Sequence, residues 1–168
     1  VCHDENAEIS GNSGDGDQNN GSALVVSGTG VARNVIVRGN SRGVNKGSSA
    51  LTSATGVTLS GGKLINALVV GNACTQPYDT WSAGLRLCGG KAVNVTVADN
   101  EAGGVACEQL IFTSGTLANS IVEGNASPVQ ATVSSLVTTE PVAFRNRAKG
   151  DYQLTRLAQS CLDCGDDA

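Results

Sequence analysis

The sequence predicts an all-β solenoid in which each internal repeat contributes one coil of short parallel strands. Three observations support this fold class: a repeat along the chain, aliphatic residues that alternate with a period of two, and a composition suited to strands. Of the 168 residues, 22 are glycine, 15% are charged and 3% are aromatic. Low charge together with many valines, threonines and serines argues against a coiled coil, a helical bundle or a charged disordered tail.

The repeat consists of two asparagines separated by five residues, with glycine or aspartate directly before the second. Five copies occur: Asn6–Asn12, Asn34–Asn40, Asn66–Asn72, Asn94–Asn100 and Asn119–Asn125. Successive copies begin 25–32 residues apart. These units lack a helical period and are too short for a four-stranded propeller blade of roughly 40 residues. One coil per repeat is the expectation, and hairpin turns of a β-sandwich are the alternative.

The third residue after each first asparagine forms an aliphatic, β-branched row. Its members are Ile9, Val37, Val69, Val97 and Val122. In coils stacked about 4.8 Å apart, the row predicts a buried internal ladder. We expect the asparagines at bends, because asparagine tolerates a left-handed backbone and its amide can bond to the neighbouring coil.

Two segments carry a resemblance to a known group. Residues Gly103–Cys107 (GGVAC) are close in style to the pattern GG-x-V-x-C, and Gly115–Asn125 follow G-x-x-x-N-x-x-V-x-G-N. Residues Gly150–Leu154 and Ser160–Asp166 follow GDY-x-L and S-x-x-D-x-GD. These runs resemble the coils and the closing segment of secreted bacterial proteins with the pectate-lyase-like superfold. The resemblance implies a right-handed parallel β-helix of about five coils over residues 1–125, with a capping tail over 126–168. It also implies a secreted or cell-surface location.

Two further features concern the setting of the chain. The chain begins at Val1 without a signal peptide, so we expect a processed protein or a piece of a longer one. Solenoid ends expose unpaired backbone groups, which predicts self-association through them.

Charge and hydropathy exclude two classes of partner. The net charge is −4 and no polybasic cluster occurs, so the electrostatic attraction required for nucleic-acid binding is missing. No run of 18 apolar residues occurs, and we therefore expect no membrane-spanning segment.

The six cysteines indicate an oxidising compartment and leave the disulfide pairing open. A Cys74–Cys88 bridge would close a loop of about 15 residues, worth about 3 kcal/mol. Cys107 is the rival partner for Cys88. Cys161 and Cys164 are spaced for a tight bridge in the tail.

Two loops carry candidate ligand residues. Tyr78, Asp79 and Trp81 combine aromatic rings with a carboxylate, which favours a glycan or protein contact, and the alternative is that the rings pack the loop onto its coil. Asp15, Asp17 and Asn19 place oxygen ligands at alternate residues, which suits Ca²⁺, and the alternative is a polar surface turn. We expect no other cofactor.

The outward-facing row of the repeat carries three large apolar residues: Ile36, Leu68 and Ile121. Aligned on a flat sheet face, they need cover. Either the C-terminal tail covers them, with side chains such as Phe144 and Leu154, or they form a contact surface for another protein.

No arrangement of acids in the sequence favours catalysis. Enzymes with the β-helix fold need acidic residues in register across coils to hold Ca²⁺ or to act as acid and base. Asp99 is the only acid in its register, whereas Glu8 and Glu123 occupy two others. We therefore expect a non-catalytic extracellular module, adhesive, structural, or binding a glycan or protein. The alternative is a remnant of a polysaccharide lyase or glycoside hydrolase.

Overall fold

The computed structural model describes residues 3–14, 22–42, 54–74, 82–102, 108–124, 126, 132–133 and 135–155. Within these ranges the protein is almost entirely β-structure, with one short 3₁₀-helix at Arg147–Lys149. The strands are β1 (His3–Glu5), β2 (Glu8–Ser10), β3 (Ser13–Gly14), β4 (Leu24–Val26), β5 (Val31–Arg38), β6 (Ser41–Arg42), β7 (Val57–Leu59), β8 (Lys63–Val70), β9 (Ala73–Cys74), β10 (Ser82–Ala98), β11 (Glu101–Ala102), β12 (Glu108–Ala118), β13 (Ile121–Glu123), β14 (Thr132–Val133), β15 (Leu136–Thr138), β16 (Phe144–Asn146) and β17 (Asp151–Leu154).

Most strands join one 11-stranded sheet, whose main order is β1-β5-β8-β10-β12-β14. All pairings in this sheet are parallel, and neighbouring strands come from successive repeats. A second sheet of four short parallel strands, ordered β11-β9-β6-β3, follows the second asparagines of the repeats. This stacking of repeat on repeat is compatible with a solenoid.

The aliphatic row stacks as the spacing predicts. Ile9 pairs with Val37, Val37 with Val69, Val69 with Val97 and Val97 with Val122. The four valines have no exposed surface. The predicted buried ladder is therefore confirmed, and it lies inside the main core cluster with leucines such as Leu64 and Leu85.

The first asparagine of each copy takes the left-handed backbone. Their φ values lie between 47° and 56° for Asn6, Asn34, Asn66, Asn94 and Asn119. In the first four copies their exposed side-chain amides form a row that we call the outer ladder: each amide nitrogen donates to the amide oxygen of the preceding copy, at 2.9–3.1 Å. The predicted placement of asparagine at bends is confirmed.

The second asparagines form another row, which we call the inner ladder and which is buried from Asn40 onward: Asn12, Asn40, Asn72, Asn100 and, at its end, Gln109. Each amide nitrogen donates to the side-chain oxygen of the following member, at 2.8–2.9 Å. Each of these oxygens also accepts the backbone N–H of the preceding member, so that the Asn12 N–H, for example, donates to Asn40 Oδ1. The buried polar atoms of each bend are thus bonded within the stack, as burial requires.

The parallel stack extends beyond the fifth asparagine pair. Strand β15 pairs with β13 in the same register as the earlier copies, with Val137 opposite Val122. After it the direction changes, and β16 and β17 form an antiparallel pair that we call the tail hairpin.

The Cys74–Cys88 disulfide is not formed in the structure. Cys74 is buried in strand β9 of the four-stranded sheet, where it lies opposite Arg42. Cys88 lies in β10 of the large sheet, opposite Ser114. Closeness in sequence suggested the pairing, but the chain turns into a different sheet between the two residues. Cys107, Cys161 and Cys164 lie outside the described residues, and so does any bridge they form.

In the described part of the chain, no helix is long and apolar enough to cross a membrane.

Candidate binding face

The outward side of the large sheet carries the predicted apolar row. Ile36, Leu68 and Ile121 are half-buried and lie in one parallel register, in which Ile36 pairs with Leu68 and Thr96 lies between Leu68 and Ile121. Val70, two residues after Leu68, and its partner Ala98 on β10 are buried on this side by the tail. The face is therefore an apolar stripe that the fold covers only in part.

The tail hairpin provides the cover. Val142 and Phe144 form a buried cluster with Val70 and Ala98. Residues of both the sheet and the tail pack against this cluster: Leu68, Ile121, Leu136, Ala143, Tyr152 and Leu154. The sequence left two alternatives for the apolar row, cover by the tail or contact with another protein. The tail covers Leu68 and Ile121, whereas Ile36 lies outside the cluster.

A polar cluster, which we call the tail clamp, fixes the hairpin to the sheet. The Tyr152 hydroxyl donates to Asp99 Oδ2 at 2.7 Å. One nitrogen of Arg147 lies 2.5 Å from Glu123 Oε1 and 3.2 Å from Asp99 Oδ1. The second Glu123 oxygen accepts the backbone N–H of Val142 at 2.8 Å. Two carboxylates of the sheet thus hold a cation, a hydroxyl and a backbone amide of the tail.

Asp99 is the informative member of the clamp. It has φ 53°, at the position where other copies carry glycine with positive φ, such as Gly39 and Gly71. A side chain costs free energy in this conformation, although aspartate tolerates it better than most residues. The contacts with Tyr152 and Arg147 offset that cost, so the exception to the repeat is explained by the tail.

The clamp was not foreseen as a cluster. The repeat placed Asp99 and Glu123 in different registers, and the structure brings both against the same guanidinium group. No spacing rule could place Arg147, because it follows the last parallel strand and lies beyond the repeat.

An open groove runs between the tail hairpin and the first three copies. It has a volume of about 400 Å³, and we call it the outward groove. Apolar Ile36, Leu68 and Val70 line it, and Tyr152 lies on the tail side. At the opposite side Arg38 Nε contacts Glu8 Oε1 at 2.7 Å, and this hydrogen bond lowers the pKa of Glu8. The groove therefore combines an apolar floor with an exposed ion pair.

The other sequence candidates fall outside the described residues. These are the aromatic loop with Tyr78, Asp79 and Trp81, and the calcium loop with Asp15, Asp17 and Asn19. Among the described residues there is no group of three or more histidine, cysteine or acidic side chains that could hold a metal ion.

Comparison of the chain with protein families, with curated proteins and with solved structures finds no match.

The tail clamp predicts a loss of stability at high pH. Burial and then the hydrogen bond to Asp99 raise the pKa of Tyr152 above its ordinary value near 10. The folded state therefore keeps the phenol proton to a higher pH than the unfolded chain does. The resulting stability is complete below about pH 10 and is lost as the pH rises further. Urea unfolding of wild type between pH 8 and pH 11 should show this decline, and Tyr152→Phe should show less of it. Equal declines in the two proteins would contradict the role of the phenol.

Proposed function

We propose that the protein is a right-handed parallel β-helix module, secreted or at the cell surface, that binds an extracellular glycan without catalysing a reaction. The in-register stacking of successive repeats and the two asparagine ladders support the β-helix. Right-handedness is supported by the strong preference of parallel crossover connections, about 98%. The resemblance of the repeats to secreted bacterial β-helices supports the location.

The outward groove is the observation that carries the binding function. An oligosaccharide presents apolar C–H faces and polar hydroxyl groups, and the groove presents apolar Ile36 and Leu68 beside charged Arg38 and Glu8. A concave, mostly apolar site with a few placed polar groups is the usual form of a small-ligand site. The tail hairpin leaves Ile36 outside the cluster that covers Leu68, so this end of the stripe is available to a partner.

A glycan array tests the proposal, with two groove variants compared with a control. We expect wild type to bind a defined subset of glycans, and Arg38→Ala and Ile36→Asn each to weaken that binding at least tenfold. Arg33→Ala is the matched control, because Arg33 is an exposed arginine on the same strand and does not line the groove. Circular dichroism verifies that each variant is folded.

Two results would contradict the proposal. One is the absence of glycan binding by the wild-type protein. The other is glycan binding that survives both groove substitutions unchanged, which would place the site elsewhere, for instance on the aromatic loop.

The clamp favours a second candidate, a polysaccharide lyase or hydrolase remnant, because it brings two carboxylates together. Retaining glycosidases use two carboxyl groups about 5–5.5 Å apart. Here Asp99 and Glu123 both contact Arg147, and Glu123 also accepts the Val142 amide, so their oxygens serve to dock the tail. Release of reducing ends or unsaturated products from acidic or neutral polysaccharides, abolished by Asp99→Asn, would favour the enzyme. An inactive wild type would favour the binding module.

A further inference from the structure

The tail hairpin lies across the coils without joining their sheets. Among the described strands, β16 and β17 pair only with each other. Side-chain contacts tie the hairpin to Asp99 in the fourth copy and to Glu123 in the fifth. At the turn of the hairpin, a Cβ atom on Gly150 would lie 3.7 Å from a terminal nitrogen of Arg38, in the second copy. The hairpin therefore spans the outward side of the stack from the fifth copy to the second.

The outward groove and the tail share a part of the sheet. Leu68 and Val70 line the groove, and the same two side chains pack in the apolar cluster beneath the tail. Val70 pairs in register with Ala98, which is fully buried in that cluster. Ile121, in the fifth copy, packs against it as well. The apolar floor of the groove thus continues beneath the tail, as far as the fifth copy.

The clamp satisfies two carboxylates of the sheet with donors that a sugar also offers. The Tyr152 hydroxyl donates to Asp99 Oδ2 at 2.7 Å, and a sugar hydroxyl can donate in the same way. Glu123 accepts one nitrogen of Arg147 and the backbone N–H of Val142. Without the hairpin, both carboxylates would stand beside an uncovered apolar floor. Such a surface matches a neutral sugar, which offers hydroxyl donors and C–H faces, and it repels an acidic one.

The docking contacts of the hairpin are weaker than the contacts between coils. The Arg147 and Asp99 side chains are 31% and 40% exposed, and ion pairs that solvent reaches contribute little to stability. Successive coils share the main hydrophobic core, whereas the tail contributes Val142 and Phe144 to a small separate cluster. Parts of a fold with few buried contacts open locally far more often than the whole molecule unfolds. A two-stranded hairpin is marginally stable alone, so it also loses its structure once it is undocked.

We propose that the glycan site continues beneath the tail hairpin, that the hairpin inhibits this covered part by occupying it, and that the ligand is a neutral oligosaccharide. The inference rests on the proposed glycan binding of the outward groove. A short glycan fits the open part, which Ile36 and Tyr152 line. A longer glycan displaces the hairpin and takes its place on Asp99 and Glu123. Three spacings of about 4.8 Å separate the second copy from the fifth, so the full site is about 14 Å long.

Isothermal titration tests the site with a length series, from disaccharide to hexasaccharide, of the neutral glycan that binds wild type best on the array. A ligand that needs the undocked hairpin binds with an affinity reduced by the small undocked fraction. Arg147→Gln removes the tail side of the clamp and leaves both sheet carboxylates in place. We expect this variant to bind the longer glycans about tenfold more tightly than wild type, and the disaccharide equally. A substitution that only damages the fold would not raise an affinity.

Lys149→Gln is the matched control for Arg147→Gln. Lys149 is an exposed cation in the same 3₁₀-helix and does not belong to the clamp. This variant should bind every length of glycan as wild type does. Circular dichroism verifies that both variants are folded.

Hydrogen exchange gives a second readout, on the hairpin itself. In wild type the amides of residues 142–155 should exchange faster than those of β8 and β10, and Arg147→Gln should raise their exchange about tenfold. A bound hexasaccharide should raise it as well, because it keeps the hairpin undocked.

Three results would overturn the inference. One is equal binding of the longer glycans by wild type and Arg147→Gln. Another is exchange of residues 142–155 that a bound hexasaccharide slows or leaves unchanged. The third is binding restricted to acidic glycans. In each of these cases wild type still binds a glycan, so the proposed function stands. A wild type that binds no glycan contradicts the proposed function and overturns the inference with it.

Discussion

Val69→Asp is expected to prevent folding. Val69 is fully buried and stands in the stacked row between Val37 and Val97. An aspartate there would place a charge, or at best a protonated carboxyl, among aliphatic side chains in the middle of the core. The cost of an unpaired buried charge is several kcal/mol, comparable with the whole stability of a domain, about 5–15 kcal/mol. Circular dichroism and amide chemical-shift dispersion should show an unfolded chain.

Val25→Asp is the matched control for this substitution. Val25 is also a strand valine, but 55% of its surface is exposed. We expect this variant to keep the wild-type spectrum and an unfolding temperature within a few degrees of wild type. A folded Val69→Asp with the stability of Val25→Asp would show that the valine row does not form the core.

The second large effect is expected at the inner ladder, for Asn72→Leu. The Asn72 side chain is fully buried. Its oxygen accepts both the backbone N–H and the side-chain amide of Asn40, at 3.2 and 2.9 Å. Its nitrogen donates to the Val37 carbonyl at 3.1 Å and to Asn100 Oδ1 at 2.9 Å.

Leucine has a similar size but can satisfy none of these groups. Each buried group left unsatisfied costs about 1–3 kcal/mol, so the variant should lose about 3–6 kcal/mol of unfolding free energy in a urea titration. Asn66→Gly in the outer ladder is the comparison. Asn66 is exposed, water can replace its bonds, and glycine accepts its φ of 52°. Asn66→Gly should lose less than about 1 kcal/mol of unfolding free energy. Equal losses for Asn66→Gly and Asn72→Leu would contradict the distinction between the ladders.

The repeat made the core and the bends predictable. Period-two alternation requires Val37, Val69 and Val97 to share a face, and parallel stacking of equal units then places them over one another. Asparagine at a fixed place in each repeat, such as Asn34 and Asn66, predicted the left-handed bends, because asparagine tolerates this backbone conformation. The buried role of the second asparagines was harder to foresee, because asparagine at a bend can equally face water.

The features outside the repeat were not predictable from pattern. The tail clamp joins Asp99 to Tyr152, 53 residues later in the chain, through an antiparallel hairpin that has no equivalent in the coils. Arg42 and Thr55 flank the variable connections between copies and are both buried, although residue type alone gives no sign of burial. The spacing of Cys74 and Cys88 suggested a disulfide that the structure does not contain. Spacing along the chain does not show that the two residues belong to different sheets.

The two asparagine ladders give the stack a polarity. In the inner ladder every bond between two side chains runs from an asparagine amide to the following member, and in the outer ladder every such bond runs from an asparagine amide to the preceding copy. The inner ladder therefore begins with the Asn12 oxygen as its acceptor, and the outer ladder begins with the Asn6 amide as its donor. A further coil that runs in the same direction would supply a donor to the Asn12 oxygen and an acceptor to the Asn6 amide. Two copies of this end that met head to head would place one Asn12 oxygen against the other. The stack is thus vectorial, because hydrogen-bond direction, as well as strand direction, distinguishes one end from the other.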